Sequence, residues 1–275
     1  MSLSFCSFSS GSSGNCYLVK TDEAAVLIDA GISAKRIVKE LERSETPADK
    51  VKALFLTHEH HDHITGARVL LKRLKEAKVY ASAGTLEEAN RRDSYKQYSF
   101  ENDIEEGRQI KIAPDEPVTI GDMTIRAFRI LHDAEEPYGY SISAGRKRIA
   151  LVTDTGTLSE EMLDYIADAD VLVLEANHDT ELLRSGSYPH YLKRRILSDH
   201  GHLSNNQAAE ALLRLFSHFD KKRIVLLAHL SEENNTPAIA ERTVLTALAN
   251  KGLYTGSDLY MGVLLRDEAS LIYRL

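Results

Sequence analysis

Residues 51–63 read VKALFLTHEHHDH, and the interpretation of that stretch decides the fold. Val51 to Thr57 is a short apolar run rich in strand formers, so the chain reaches His58 extended, with alternate side chains on one face. His58 and His60 then point the same way and can share a metal. From Ile64 onward, Ile64, Ala67, Leu70, Leu71 and Leu74 alternate with Lys72, Arg73 and Lys75, which predicts an amphipathic helix over 64–76. Asp62 and His63 fall near its start, where neighbouring side chains diverge and can reach a second metal, while His61 faces away. Imidazole suits zinc, iron and manganese, and a carboxylate suits the harder end of that range. A strand running into this cluster and a helix leaving it form a metal-site pattern rather than a histidine-rich surface turn.

The remaining composition is that of a globular protein. With 275 residues and 43% hydrophobic content, the chain can bury a sizeable core, and no linker or repeat divides it, so one domain over 1–275 is expected. No signal-like start or membrane-length apolar run occurs, and Cys6 and Cys16 are too few for a disulfide framework. A cytoplasmic protein without a membrane partner is expected. The net charge of −7 argues against a basic coat for non-specific nucleic-acid binding, but not against a local basic patch. The run SSGSSG at 9–14 leads directly into the strand-like Cys16-Tyr17-Leu18-Val19 and reads as a tight loop whose glycines let backbone approach a site.

Along the chain, strands are predicted at 3–8, 16–20, 25–29, 51–57, 79–81, 171–174 and 224–228, with hairpins turning at Gly121-Asp122 and Gly145-Arg146. Helices are predicted at 34–43, 64–76, 85–92, from a Thr157/Glu160 capping box to Ala167, from a Ser204/Gln207 box to Phe216, and at 237–250. Residues 94–108 read as an irregular polar stretch, and the C-terminus as a strand pair. Strands and helices so interleaved predict an α/β fold in which two mixed β-sheets pack face to face with helices on the outer faces, an αββα sandwich.

Four polar residues fall where apolar runs end: Asp29 after AVLI, His132 after AFRIL, Asp154 after IALVT and His229 after IVLLA. Singly, each has a plain explanation as a turn, a cap or a satisfied interior histidine. Together with His58, His60, Asp62 and His63 they complete a dinuclear site at a sheet edge.

The run THEHHDH, with LIDAG at 27–31, ILH at 130–132, VTDTG at 152–156 and LAHLS at 227–231, resembles the metallo-β-lactamase fold superfamily over the whole chain. The resemblance implies His58, His60 and His132 on one metal, Asp62, His63 and His229 on the other, and Asp154 bridging. Asp29 would orient a ligand from behind. Two divalent ions, zinc, manganese or iron, are the implied cofactors.

Substrate class rests on other segments. Val171 to His178 and Gly201 to Glu210 resemble the metal-adjacent Glu and His segments of transfer-RNA 3′-end endonucleases, whereas His132-Asp133-Ala134-Glu135-Glu136 departs from the lactamase and thioesterase pattern. This implies that His202, its tautomer fixed by Glu175, attends a departing oxygen, and that Asp62, His202 and Glu175 form the catalytic set. The helix after His202 would offer free N–H groups to a phosphate. The chain as a whole resembles the YycJ (WalJ) group of bacterial metallo-β-lactamase-fold proteins through SSGSSGNCYLV, LEANHD, SDHGHLSN and AHLSEENNTP. That group implies 5′→3′ exonuclease action on double-stranded DNA, mismatch repair and repair-protein partners. The interval between Asp154 and His229 is too short for the inserted domain of the large RNA-processing nucleases.

Residues 184–195 (RSGSYPHYLKRR) carry Arg184, Lys193, Arg194, Arg195, Tyr188 and Tyr191 just before His200 and His202. They read either as a basic, aromatic loop tracking DNA or as a solvated helix face with its aromatics turned inward. A small-molecule (cyclic) phosphodiesterase, an RNA-processing nuclease and a non-enzymatic metal scaffold are the competing functions. The scaffold is disfavoured by the presence of both Asp62 and Asp154.

Overall fold

Three apolar segments open the chain as an antiparallel meander, β1 (Ser4–Ser9), β2 (Cys16–Lys20) and β3 (Ala25–Ile28). In β3, Val26 and Ile28 join the core shared with the second sheet, while Ala25 and Leu27 join a core beneath helices. Burial on both faces explains why the strand reads as unbroken apolar sequence. In the computed structural model, the described residues are 2–91, 100, 104–114, 116–218 and 221–275.

Helix α1 (Ala34–Arg43) crosses to β4 (Val51–Phe55), parallel to β3. Helices α2 (His61–Ile64) and α3 (Ala67–Arg73) lead to β5 (Lys78–Ala81), and α4 (Ala83–Asn90) precedes β6 (Gln109–Lys111). The second sheet begins with β7 (Val118–Ile120), β8 (Met123–Arg129), β9 (Tyr138–Ala144) and β10 (Lys147–Val152), each antiparallel to the last where they pair. It continues in parallel through α5 (Glu160–Ile166) to β11 (Val171–Glu175), then through α6 (Thr180–Ser185), α7 (His190–Ile196) and α8 (Asn205–His218) to β12 (Arg223–Ala228). Helix α9 (Pro237–Ala249), β13 (Leu259–Val263) and β14 (Tyr273–Arg274) complete the chain. The two mixed sheets have seven strands each, ordered β14-β1-β2-β3-β4-β5-β6 and β13-β12-β11-β10-β9-β8-β7.

Phe55, Tyr80 and Tyr140 meet between the sheets, with Phe55 stacked on Tyr80 at 4.8 Å. Outside, Ile37, Leu70 and Leu71 pack with Leu27 and Leu54, while Leu212, Leu215 and Val244 pack with Leu172 and Leu174. Each such buried side chain contributes roughly 1.5–3 kcal/mol against exposure. The αββα architecture is as expected from the interleaved strand and helix signals.

Several local expectations are corrected. The helix expected over 64–76 is two pieces, because the Gly66 N–H donates to Ala30 O at 2.7 Å and a Cβ on Gly66 would lie 2.0 Å from Ile32 O. This close backbone approach, invisible in periodicity, breaks the helix. Strand β4 stops at Phe55, two residues early. Helix α4 starts at Ala83, capped by Ser82, and α5 is capped by Ser159 rather than by Thr157, since the Ser159 side chain accepts from Met162 N. The two C-terminal strands do not pair together: β13 joins β12, and β14 joins β1 in the other sheet. Over 184–195 the helical alternative holds rather than the loop: most of the segment belongs to α6 and α7. Much of the irregular stretch expected over 94–108 lies outside the described residues.

Candidate metal centre

The C-terminal ends of β3, β4, β8, β10, β11 and β12 converge on one edge of the sandwich, where crevices form between parallel strands. Asp29, Asp154 and His229 each follow a strand in the left-handed region, with φ of 58°, 59° and 53°. That conformation costs a non-glycine residue roughly 1–2 kcal/mol, and here it turns three side chains into the site.

His58, His60 and His132 form one donor group and Asp62, His63, Asp154 and His229 a second, each with ligand atoms within 4.8 Å of one another. In the first, His60 Nδ1 and His132 Nε2 face each other at 3.3 Å. His132 Nδ1 lies 3.1 Å from Gly201 O, so it donates there and leaves Nε2 as a lone pair. Burial pushes the His132 imidazole down to about 4 and, with the charge of His63, pushes His58 well below its usual range. Both rings therefore present neutral nitrogens.

In the second group, Asp154 Oδ2 lies 3.0 Å from His229 Nδ1 and 3.4 Å from His63 Nε2, and Asp62 Oδ2 lies 3.5 Å from His63 Nε2. His63 Nδ1 bonds Asp29 Oδ2 at 2.7 Å, which turns Nε2 toward Asp62 and Asp154. Asp29 is itself fixed by Thr57, whose N–H and hydroxyl donate at 2.8 and 2.9 Å. Burial opposes charge on these groups, yet the carboxylates of Asp154, Asp29 and Asp62 hold His63 well above the usual imidazole range, and Asp154 holds His229 at about 9. The same histidines hold the buried Asp154 well below the usual carboxylate range.

A third cluster joins Asp154 and His229 to Glu175 and His202. His202 Nδ1 lies 2.7 Å from Glu175 Oε1, and the other Glu175 oxygen accepts from Thr155 N and Leu203 N at 2.8 and 3.2 Å. The ring is thereby oriented with Nε2 free to face a substrate.

Divalent cations fit this donor set. His58 Nε2, His229 Nδ1 and Asp154 Oδ2 are buried without a hydrogen-bond partner although their neighbours lie close, which is costly unless a cation satisfies them. The His and Asp clusters are suited to divalent metals.

Every residue picked as a ligand from the sequence lies in these groups, with Asp29 directly behind His63. His61 and the exposed His200 belong to none of them. The N–H groups expected to be free ahead of α8 are largely taken: Asn205 N bonds His178 O, Gln207 N bonds the Ser204 hydroxyl and Ala208 N bonds Ser204 O. Of the four cations of this segment, Lys193 Nζ caps α6 through Arg184 O and Gly186 O at 2.8 and 2.7 Å, Arg195 is bonded to Asp133 and Arg184 pairs with Glu181 at 3.3 Å. Arg194 is exposed, as is Tyr191 at 69%, so that ring is not turned into the core. Asn15 was not read as a site residue, yet its Nδ2 lies 3.1 Å from His63 Nε2 and its backbone N–H donates to Asp62 O at 2.7 Å. Its only signal was its place at the end of the Ser-Gly run.

Two mixed sheets between helices, with histidine and aspartate donors gathered at one edge, define the metallo-β-lactamase fold. The family model described as the beta-lactamase superfamily domain matches residues 24–230, and the chain belongs to that superfamily. It is 38% identical over 249 residues to exodeoxyribonuclease WalJ of Streptococcus pneumoniae, covering 90% of this chain and 89% of that protein. It is 36% identical over 256 residues to exodeoxyribonuclease YycJ of Bacillus anthracis, covering 93% of each. The crystal structure of the metallo-beta-lactamase fold protein YhfI from Bacillus subtilis has a similar fold, with a TM-score of 0.69 at 18% identity over all of both chains.

Proposed function

We propose that this protein is a metal-dependent exodeoxyribonuclease acting on duplex DNA with 5′→3′ polarity in the cytoplasm, using two divalent cations, zinc, manganese or iron. One observation carries the reading: the second donor group and the Glu175–His202 pair share Asp154, with the three-histidine group alongside through the His58 and His63 rings 4.1 Å apart, in a chain whose relatives are named exodeoxyribonucleases. Residues 1–275 act as one domain in this reading, supported by the pairing of β14 with β1. Among the described residues no helix is long and apolar enough to cross a membrane. DNA-repair proteins, through mismatch repair, are the partners this reading names.

His58, His60 and His132 would hold one cation, Asp62, His63 and His229 the other, with Asp154 between them. When bound, the cations supply Lewis acidity toward a phosphodiester and lower the pKa of water. Asp29 orients His63, and Glu175 holds the proton on His202 Nδ1. His202 would give the Nε2 proton to the departing oxygen, with Glu175, 2.7 Å from Nδ1, stabilising the ring as it does so. Arg194 and the exposed Tyr191 offer a charge and a stacking face to the strand. End-labelled duplex DNA, RNA and a chromogenic phosphodiester, compared with manganese and zinc, test the reading. Preferential release of nucleotides from duplex DNA ends is expected, and hydrolysis confined to the small ester contradicts it.

A further inference from the structure

Beside the metal centre lies a cavity of about 280 Å³ whose walls include Leu230, Pro237, Leu264, Leu265, Asp267 and Glu268. Its position follows from the topology. Strand β13 runs parallel to β12, so the loop after β13 emerges next to His229, and Leu264 N bonds Leu227 O at 2.8 Å. Ser10, another lining residue, joins cavity and centre: its N–H donates to Leu265 O at 3.1 Å and its hydroxyl accepts from His229 N at 2.9 Å.

The lining has two characters. The leucines and the proline make apolar walls, with Leu265 39% exposed, whereas Ser231, Asp267 and Glu268 supply oxygen acceptors. The one cation in the lining, Arg266, is engaged by Glu232 at 2.7 Å. A phosphate would meet the carboxylates of Asp267 and Glu268, with Arg266 already neutralised by Glu232 through Nη1 and only its Nε unpartnered, whereas a flat heterocycle has apolar faces and N–H groups along its edge. The size falls just below the ~300–1,000 Å³ of drug-sized pockets, suited to one small ring system.

We propose that this cavity receives the base of the terminal nucleotide of the strand being degraded, unstacked from the duplex, while its phosphodiester lies over the adjoining metal centre. The inference rests on the nuclease reading and adds that the enzyme acts on a frayed end, since a paired base cannot enter a side cavity without leaving the stack. Removing the terminal base should then remove the contact.

The test compares duplexes with a normal and an abasic terminal nucleotide, using metal-loaded wild type and Leu265→Glu. Wild type should lose at least tenfold in kcat/KM on the abasic end, and Leu265→Glu should no longer discriminate between the two ends. A 2-aminopurine at the terminal position should change its emission on binding wild type but not the variant. Equal rates on both ends in wild type, or undiminished discrimination by Leu265→Glu, would overturn the base pocket while leaving the nuclease reading intact. No release from either end would overturn both.

Discussion

His63 Nδ1 lies 2.7 Å from Asp29 Oδ2, and both side chains are fully buried. The pair reaches across the first sheet's edge from the end of β3 to α2, and it fixes which His63 nitrogen faces Asp62 and Asp154. Substituting Asn at Asp29 preserves size and tolerance of the left-handed backbone but removes the charge behind the ring. Asp29→Asn should weaken metal binding roughly 10–100-fold, measured by competition with a chelating dye. Unchanged affinity would show that Asp29 serves only the turn.

His202 is separable from the metal donors by its substrate dependence. His202→Ala should lower turnover by roughly 10²–10⁴-fold with metal content unchanged, and the loss should shrink on a phosphodiester with an acidic leaving group. Equal losses on both substrates would assign His202 to binding. Glu175→Gln should follow the same pattern more weakly, because it acts through His202.

The cations of α7 should divide by what they already bond. Arg194→Ala should flatten the salt dependence of duplex binding by roughly 0.9 units of slope, the value for one lost phosphate contact. Lys193→Ala should leave the slope alone and cost ~1 kcal/mol of stability by releasing the end of α6. An unaltered slope in Arg194→Ala would return α7 to an ordinary solvated face.

Buried His178 predicts an acid limit to stability. Neither ring nitrogen has a hydrogen-bond partner, and burial together with the charge of His202 lowers its pKa from 6.5 to about 4. The unfolded chain therefore binds the extra proton first, so stability is full above about pH 6.5 and lost as pH falls toward 4. The loss is on the order of 3 kcal/mol. Urea midpoints of metal-free wild type and His178→Leu should converge in slope above pH 6.5 and diverge below it. Parallel pH profiles would contradict the assignment.

How legible the site was depended on how local its signals were. His58, His60, Asp62 and His63 stand together, and Asp29, His132, Asp154 and His229 announce themselves as polar residues closing apolar runs. The left-handed backbone at Asp29, Asp154 and His229 left no mark in the sequence, because Asp and His tolerate it without needing glycine. Asn15 carries no sequence signal beyond following the Ser-Gly run, since its role comes from the loop folding back onto Asp62 and His63. The break at Gly66 was hidden because apolar spacing continues through it, and the cause is the distant carbonyls of Ala30 and Ile32. Residues 184–195 read equally as loop or helix because Gly186 and Pro189 leave α6 and α7 two turns at most. Lys193 looked available for DNA because composition cannot show a side chain already bonded to its own backbone.

Metal content measured alongside nucleotide release tests the shared centre most directly. Wild type purified without chelators should carry two metals per chain and release nucleotides from duplex DNA, whereas Asp154→Ala should retain at most one metal and release none. A single metal per chain in fully active wild type, or undiminished release by Asp154→Ala, would contradict a centre joined through Asp154.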